Sequence, residues 1–216
     1  EDEVDFILDH AKQYLTGNPT RDDIQSVFAG LRPLVNTSGS KDTADISRDH
    51  TLLVSLSGLV TIAGGKWTTY RKMAEDTIDK AATVAGLKEQ DCITEDLRIH
   101  GWLKNVDREE HLHYYGSDKV AVEKIIENNP ELGEQLHERL PYLKAEVIWA
   151  VRNEMAITVE DVLSRRMRAL LLDAKASIEM APEVARLMAQ EAGHDEQWQQ
   201  KQIDEYQAIA DRYIFK

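Results

Sequence analysis

The chain has 216 residues, of which 26 are basic and 39 acidic, so its formal net charge near neutral pH is −13. This balance argues against broad binding to nucleic acid or to anionic lipid, because both need a basic face. It leaves room for a small cluster of cations around an anionic ligand. Cys92 is the only cysteine, so no disulfide can form within the chain, which suits a reducing compartment.

The N-terminus and the apolar runs predict neither a signal peptide nor a membrane span. The first residues, Glu-Asp-Glu-Val-Asp, are acidic where a signal peptide would be basic. The most apolar stretch, residues 52–63, is interrupted by serine, glycine and threonine, and it is too short to cross a bilayer. Because the chain starts without methionine, inside an apparent helix, we expect it to be part of a longer protein.

The first hundred residues contain most of the glycines and predict mixed structure. Hydrophobic spacing together with turn residues indicates the elements in chain order: a helix over 4–15, a strand over 24–34, an exposed loop over 36–45, a hairpin with strands 51–54 and 59–62, and a helix over 68–85 that ends at Gly86.

Beyond Gly101 the apolar residues recur at helical spacing almost throughout. The predicted helices cover residues 108–115, 119–128, 144–155, 183–192 and 195–213. Thr158 and Asp161 resemble a capping box, with aspartate in place of the usual glutamate or glutamine. The predicted class is α+β. A small β-containing domain over residues 1–101 is followed by an all-α helical domain over residues 102–216.

The strongest chemical signal is the segment from Val60 to Arg71, in which a strand leads into Gly64-Gly65-Lys66 and then a helix. Glycines allow a ligand to approach the backbone closely, since no Cβ is present. The unpaired N–H groups of the new helix favour an anionic or electron-rich ligand edge, such as a phosphate or a reduced flavin. An ordinary tight turn is the alternative. The spacing is not that of a P-loop, and the chain contains no dinucleotide-binding fingerprint.

Two further blocks precede this segment, and the three together carry a family resemblance. The blocks are Phe28-Ala-Gly-Leu-Arg32-Pro33-Leu34, Ile46-Ser-Arg48-Asp49-His50 and Gly64-Gly65-Lys66-Trp-Thr-Thr-Tyr-Arg71. They closely resemble membrane-associated FAD-dependent glycerol-3-phosphate dehydrogenases, in which a Gly-x-Arg-Pro-Leu block, a Ser/Thr-Arg-Asp block and Gly-Gly-Lys-x-Thr-Thr-Tyr-Arg occur in this order. Residues 149–155 and 160–168 resemble the C-terminal helical domain of the same family.

The resemblance implies roles for three cations. Arg32 would lie beside substrate and flavin, and it would act in catalysis and in substrate binding. Arg48 would bind the substrate phosphate through its guanidinium fork. Lys66 would be the active-site lysine, in contact with both flavin and substrate. Without the family, a strand-end surface residue and a salt bridge to Asp49 are the alternatives for Arg32 and Arg48.

The resemblance also implies a cofactor site. Gly64, Gly65, Lys66, Trp67 and Thr68 would border the pyrimidine edge of FAD and donate backbone N–H bonds, with no role for the Trp67 side chain. Thr69 and Tyr70 could equally be a helix cap and a core aromatic residue.

Histidines and the C-terminal charges are less informative. His50 is a candidate general base by its position after Asp49, but we do not assign it that role, because the family's candidate histidine lies outside this sequence. His111 and His113 would face different directions on a helix, so no metal site is expected. The charged residues of the C-terminal helices are expected to form structural ion pairs, and the distant tryptophans to be separate anchors. They are Arg152, Glu154, Arg165, Arg166 and Arg168, and Trp102, Trp149 and Trp198.

The family's reaction would be oxidation of sn-glycerol 3-phosphate to dihydroxyacetone phosphate, with hydride transfer to FAD and electrons passing to a quinone. Because the Rossmann-like half is absent from this sequence, we expect the chain alone neither to retain FAD nor to turn over substrate. The alternatives are an oxidase that uses oxygen and a non-catalytic helical module for oligomerisation. The expected partners include no nucleic acid, and a homodimer is a candidate assembly. The expected location is cytoplasmic, with the full-length enzyme a candidate for peripheral attachment to the cytoplasmic face of the membrane.

Overall fold

A computed structural model describes residues 2–31, 35 and 49–216 of the chain. We number its α-helices and strands in chain order: α1 Asp2–Tyr14, β1 His50–Val54, β2 Val60–Gly64, α2 Tyr70–Ala85, α3 Lys119–Asn128, β3 Gln135–His137, β4 Leu140–Leu143, α4 Lys144–Asn153, α5 Ala169–Leu172, α6 Ala174–Ala192 and α7 Glu196–Ala210. Shorter 3-10 turns cover Arg21–Asp23, Trp67–Thr69, His111–Asp118 and Pro130–Gly133, and a π-helix covers Asp161–Arg166. The α+β class is confirmed.

The chain forms two compact units. Residues 30–100 form one of them, which we call the hairpin unit. Residues 1–29 and 101–216 form the other, the helical unit. This partition differs from the predicted division into 1–101 and 102–216 because the first 29 residues group with the C-terminal helices.

The hairpin unit is built from β1, β2 and α2. β1 and β2 pair antiparallel, with His50 opposite Gly64 and Val54 opposite Val60. The turn is closed by a hydrogen bond from Ser55 N to Leu59 O of 3.0 Å. The predicted hairpin is therefore confirmed, and so is the helix that ends at Gly86, whose φ of 65° is left-handed.

Apolar side chains remain uncovered within the hairpin unit. None of its described residues is fully buried. Several large side chains are more than half exposed: Leu53, Leu56, Leu59, Trp67, Tyr70 and Ile78. Large apolar side chains left exposed in this number are typical of a surface that is covered by a partner.

The helical unit has a well-formed core around α6, the longest helix. α6 packs against α4, α5 and α7. Its interior includes Val147, Leu163, Leu170, Met180 and Tyr206, each at most 1% exposed. The predicted helix over 183–192 is too short, because α6 begins at Ala174 and contains Pro182 in its interior. Asp173 caps the start of α6, accepting a 2.9 Å bond from Ala176 N.

The predicted strand over residues 24–34 is wrong for its described part, residues 24–31. This segment has no strand partner and is fixed by single hydrogen bonds. Val27 N donates to Tyr213 O at 2.8 Å, and Ser26 Oγ donates to Leu170 O at 2.7 Å. The β-prone side chains were the local signal, but an isolated extended segment results when no second strand lies beside it.

The second part of the chain is not purely helical as predicted, because β3 and β4 form a short antiparallel ribbon. Leu140 and Tyr142 are buried while Pro141 between them is exposed, which is the alternation of a strand. The predicted helix over 108–115 is instead a 3-10 turn over His111–Asp118. The predicted loop over 36–45 lies outside the described residues.

Candidate active site

The corner at the end of β2 depends on two successive glycines. Gly64 and Gly65 have φ values of +78° and +82°, a left-handed conformation that favours glycine. A Cβ on Gly64 would lie 3.0 Å from Asp49 O, and a Cβ on Gly65 would lie 2.5 Å from Met73 Sδ. The chain therefore turns sharply here, and atoms of this chain already occupy the space that a Cβ would take at each glycine.

A 3-10 turn, Trp67–Thr69, follows the glycines and leads into α2. Thr69 closes it: its Oγ1 donates to Lys66 O at 3.0 Å and accepts from Lys66 N at 3.3 Å. Thr69 occupies the N-cap position of α2, but its side chain makes no cap hydrogen bond to that helix. Tyr70 is 55% exposed and stacks on Trp67, with ring centroids 5.4 Å apart, so it is not a core residue.

The first turn leaves main-chain donors available. Within the described part of the chain, the N–H groups of Trp67 and Thr68 have no hydrogen-bond acceptor. The first N–H groups of any helix lack an intrahelical partner. Here they follow Gly65, which has no side chain of its own, and they are available to an acceptor atom of a ligand.

A cavity of about 170 Å³ adjoins the corner. It is lined by Asp49, His50, Lys66, Thr69 and Lys72. The Lys66 ammonium makes no ion pair with any described residue, whereas that of Lys72 is held by Glu75 at 2.8 Å and Asp76 at 3.0 Å. The corner thus combines open backbone donors with an uncompensated cation, which suits an anionic or electron-rich ligand.

A polar network behind the cavity joins β1 to α2. His50 Nε2 lies 2.9 Å from Asp76 Oδ2, and Lys72 also bonds that carboxylate. The hydrogen bond from Lys72, followed by that from His50, lowers the pKa of Asp76. The sequence analysis missed Asp76 and Lys72, although their four-residue spacing on a predicted helix was a signal for an ion pair.

The structure brings together the predicted cofactor-contacting residues Gly64, Gly65, Lys66, Trp67 and Thr68. Arg32 and Arg48 lie outside the described residues, so their predicted roles stay predictions. Arg48 immediately precedes Asp49, which lines the cavity.

Most of the charged residues predicted in the C-terminal helices have structural partners, whereas the Arg168 side chain makes no hydrogen bond or ion pair with a described residue. Arg152 binds Glu191 at 2.5 and 2.8 Å, and Arg165 binds Glu160 and Asp161. Arg166 instead donates to the main-chain oxygen of Glu154 at 2.9 and 2.6 Å, so its predicted ion pair is wrong.

Two further sequence predictions concern His111 and His113, for which no metal site was expected, and the capping box at Thr158 and Asp161. His111 binds Glu146 at 2.7 Å and His113 bonds Glu110 O, and among the described residues no cluster could hold a metal ion. The capping box at Thr158 and Asp161 is confirmed by reciprocal bonds of 3.0 and 3.1 Å.

Comparisons with known proteins agree with the resemblance. Residues 58–199 match the family described as the C-terminal domain of alpha-glycerophosphate oxidase. The chain is 39% identical, over 97% of its length, to the probable mitochondrial glycerol-3-phosphate dehydrogenase of Caenorhabditis elegans. It is 35% identical, over 94% of its length, to the mitochondrial glycerol-3-phosphate dehydrogenase of Homo sapiens. It spans only 32% and 31% of those two relatives.

A solved structure, the glycerol-3-phosphate dehydrogenase from Bacillus halodurans complexed with FAD, is similar over 100% of this chain and 46% of its own, with a TM-score of 0.71 and 28% identity. Together with the family match, this likeness confirms the resemblance that the three sequence blocks predicted. The chain belongs to the glycerol-3-phosphate dehydrogenase and alpha-glycerophosphate oxidase family, and it matches the C-terminal domain of that family.

Proposed function

We propose that this chain forms part of an FAD-dependent enzyme that oxidises sn-glycerol 3-phosphate to dihydroxyacetone phosphate. The observation that carries the proposal is the corner at Gly64 and Gly65, where the Lys66 ammonium and the N–H groups of Trp67 and Thr68 have no partner among the described residues. The name of the Bacillus halodurans structure, which includes FAD, and the names of the relatives support the same reaction.

The corner fits the polar edge of a flavin ring. The N–H groups of Trp67 and Thr68 can donate to ring acceptors, and the positive φ values of Gly64 and Gly65 set the sharp turn that leads into them. FAD, when bound, supplies the hydride acceptor. Lys66 then stabilises negative charge that develops near the ring or on the substrate.

The cavity next to Lys66 is suited to the anionic part of the substrate. At about 170 Å³ it is small, and Lys66 is its one cation without an ionic partner among the described residues. Arg48 would add a two-point contact to the phosphate, and Arg32 would orient the substrate beside the flavin. In this proposal these residues bind and orient the substrate.

A quinone is the electron acceptor that we propose. The relatives are named dehydrogenases, which supports an acceptor other than oxygen, although the family description names an oxidase. Peroxide release by the full-length enzyme at the rate of substrate oxidation would identify an oxidase instead.

The location of the full-length protein can be tested by cell fractionation. The relatives' names favour a mitochondrial location, whereas the sequence predicted the cytoplasm. In the described part of the chain, every helix is too short or too polar to cross a membrane.

Two measurements test the proposed reaction. The full-length protein should purify with about one FAD per chain, and anaerobic glycerol 3-phosphate should bleach the flavin absorbance. The 216-residue chain expressed alone should show no flavin spectrum, because it carries only the corner of the site. A full-length protein whose flavin is indifferent to glycerol 3-phosphate would contradict the proposal.

A further inference from the structure

The helical unit contains a second cavity, of about 460 Å³. None of the residues proposed to bind the substrate or the flavin lines it. It lies among the 3-10 turn His111–Asp118, β4 and the segment 166–172. Its described lining includes two arginines and no acidic side chain, although the chain as a whole carries a net charge of −13. The local charge is therefore opposite to that of the protein.

Arg168 is the unusual cation in this cavity. Its guanidinium makes no hydrogen bond or ion pair with a described residue, whereas Arg152, Arg165 and Arg186 each bind carboxylates at 2.5–2.8 Å. Arg168 also has φ 60° and ψ 24°, a left-handed conformation that is unfavourable for any residue with a Cβ. The backbone turn therefore does not explain why arginine occupies this position, since glycine or asparagine would suit it better.

Tyr142 supplies a second polar group without a partner. Only 7% of the residue is exposed, and its hydroxyl, which is open to the cavity and not sealed from solvent, makes no hydrogen bond with a described residue. The neighbouring hydroxyls of Tyr114 and Tyr115 both donate to Glu146. Burial and the charge of Glu146 raise the pKa of Tyr142, and the charge of Arg168 acts in the opposite sense. Tyr142 and Arg168 both line the cavity.

The rest of the cavity wall consists of three apolar side chains and Arg166, whose guanidinium is held in place. Met167, Leu171 and Leu172 line it, and Leu172 is 56% exposed. Arg166 is fixed by its two bonds to Glu154 O. A volume of this size is within the range of small-ligand pockets, which combine apolar walls with a few convergent polar groups.

We propose that this cavity binds a small organic anion with a short apolar body. The anionic group pairs with Arg168 and accepts a hydrogen bond from the Tyr142 hydroxyl. The apolar body lies against Met167, Leu171 and Leu172. This proposal is independent of the reaction assigned to the glycine corner.

The test is isothermal titration of the full-length protein with hexyl phosphate, hexanoate and inorganic phosphate. Arg168→Gly removes the guanidinium while relieving the left-handed backbone, so the variant should fold at least as well as the parent. Tyr142→Phe removes only the hydroxyl. Arg165→Gln is the matched control, because Arg165 is bound to Glu160 and Asp161 and does not line the cavity.

We expect hexyl phosphate or hexanoate to bind, with affinity falling at least about tenfold in Arg168→Gly and severalfold in Tyr142→Phe. Arg165→Gln should bind as the parent does. The two headgroups distinguish a phosphate from a carboxylate ligand. Binding that is unchanged in Arg168→Gly, no binding by either organic anion, or equal affinity for inorganic phosphate would each overturn the proposal.

Discussion

Substitution of Gly65 by alanine perturbs the proposed flavin corner with one methyl group. The new Cβ would lie 2.5 Å from Met73 Sδ, 2.7 Å from Met73 Cε and 3.3 Å from His50 Cβ, at a φ of +82°. The two sulfur-side contacts involve the flexible end of a methionine, which can move. The left-handed backbone cannot be relieved so easily, because it is set by the turn between β2 and α2.

The expected cost has two parts. A residue with a Cβ in the left-handed region loses about 1–2 kcal/mol, and a displaced methionine adds about 1 kcal/mol of overpacking. Gly86→Ala is the matched control: its φ is +65°, and nothing lies within 4 Å of its Cβ position. Gly86→Ala therefore carries the backbone cost alone, while Gly65→Ala also displaces the groups that border the corner.

The assay is the ratio of flavin to protein absorbance in the purified full-length variants, with thermal unfolding measured in parallel. Both variants should lower the melting temperature, Gly65→Ala by more. Flavin content and turnover should fall only in Gly65→Ala. If Gly65→Ala keeps as much flavin as Gly86→Ala, the corner does not contact the ring and the account of this site is wrong.

Three further predictions concern charge. Asp76→Asn removes an anion behind the substrate cavity and should lower KM for glycerol 3-phosphate. Lys72→Met removes a cation from the cavity and should raise KM. In steady-state kinetics both changes in KM should become smaller as salt is added, because salt screens charge interactions. Unchanged KM in both variants would place the phosphate elsewhere. Glu146 is fully buried and accepts bonds from His111 and Leu143 N at 2.7 Å and from the hydroxyls of two tyrosines. Glu146→Ala should therefore lower the free energy of unfolding, measured in urea, by about 3–5 kcal/mol. A loss below about 1 kcal/mol would show that the fold does not need this network. Burial raises the pKa of Glu154 above its ordinary 4.5, so its ionised form is less favourable in the folded protein than in the unfolded one. Glu154→Gln should therefore raise the free energy of unfolding at neutral pH, with the gain disappearing below about pH 4.5; a gain that is constant with pH would refute this cause.

Local signals predicted much of the fold. The β1–β2 hairpin and the C-terminal end of α2 follow from alternation, Ser57-Gly58 and Gly86, which act over a few residues. The secondary-structure predictions failed where the conformation of a segment depends on residues that are distant in the sequence. Residues 24–31 are β-prone, but their bonds go to Tyr213 and Leu170, and no local pattern shows that a second strand is missing. The helix over 183–192 was predicted too short, because tertiary packing keeps Pro182 inside α6, which begins at Ala174.

The candidate site divides in the same way. The motif around Gly64 and Lys66 is continuous in sequence, so its grouping was predictable. The contact of His50 with Asp76 joins residues 26 positions apart, and it depends on how α2 lies against β1. The cavity at Arg168 and Tyr142 depends on the β3–β4 ribbon, which the sequence analysis did not predict.

The central claim is that Lys66 contacts the substrate or the flavin, and the reductive half-reaction of full-length Lys66→Met tests it most directly. Anaerobic mixing with glycerol 3-phosphate should bleach the flavin about 100-fold or more slowly than in the parent, as expected when a preorganised charge is lost from a transition state. Lys80→Met, on the exposed face of α2, is the control and should react at the parental rate. Bleaching of Lys66→Met at the parental rate would contradict the account.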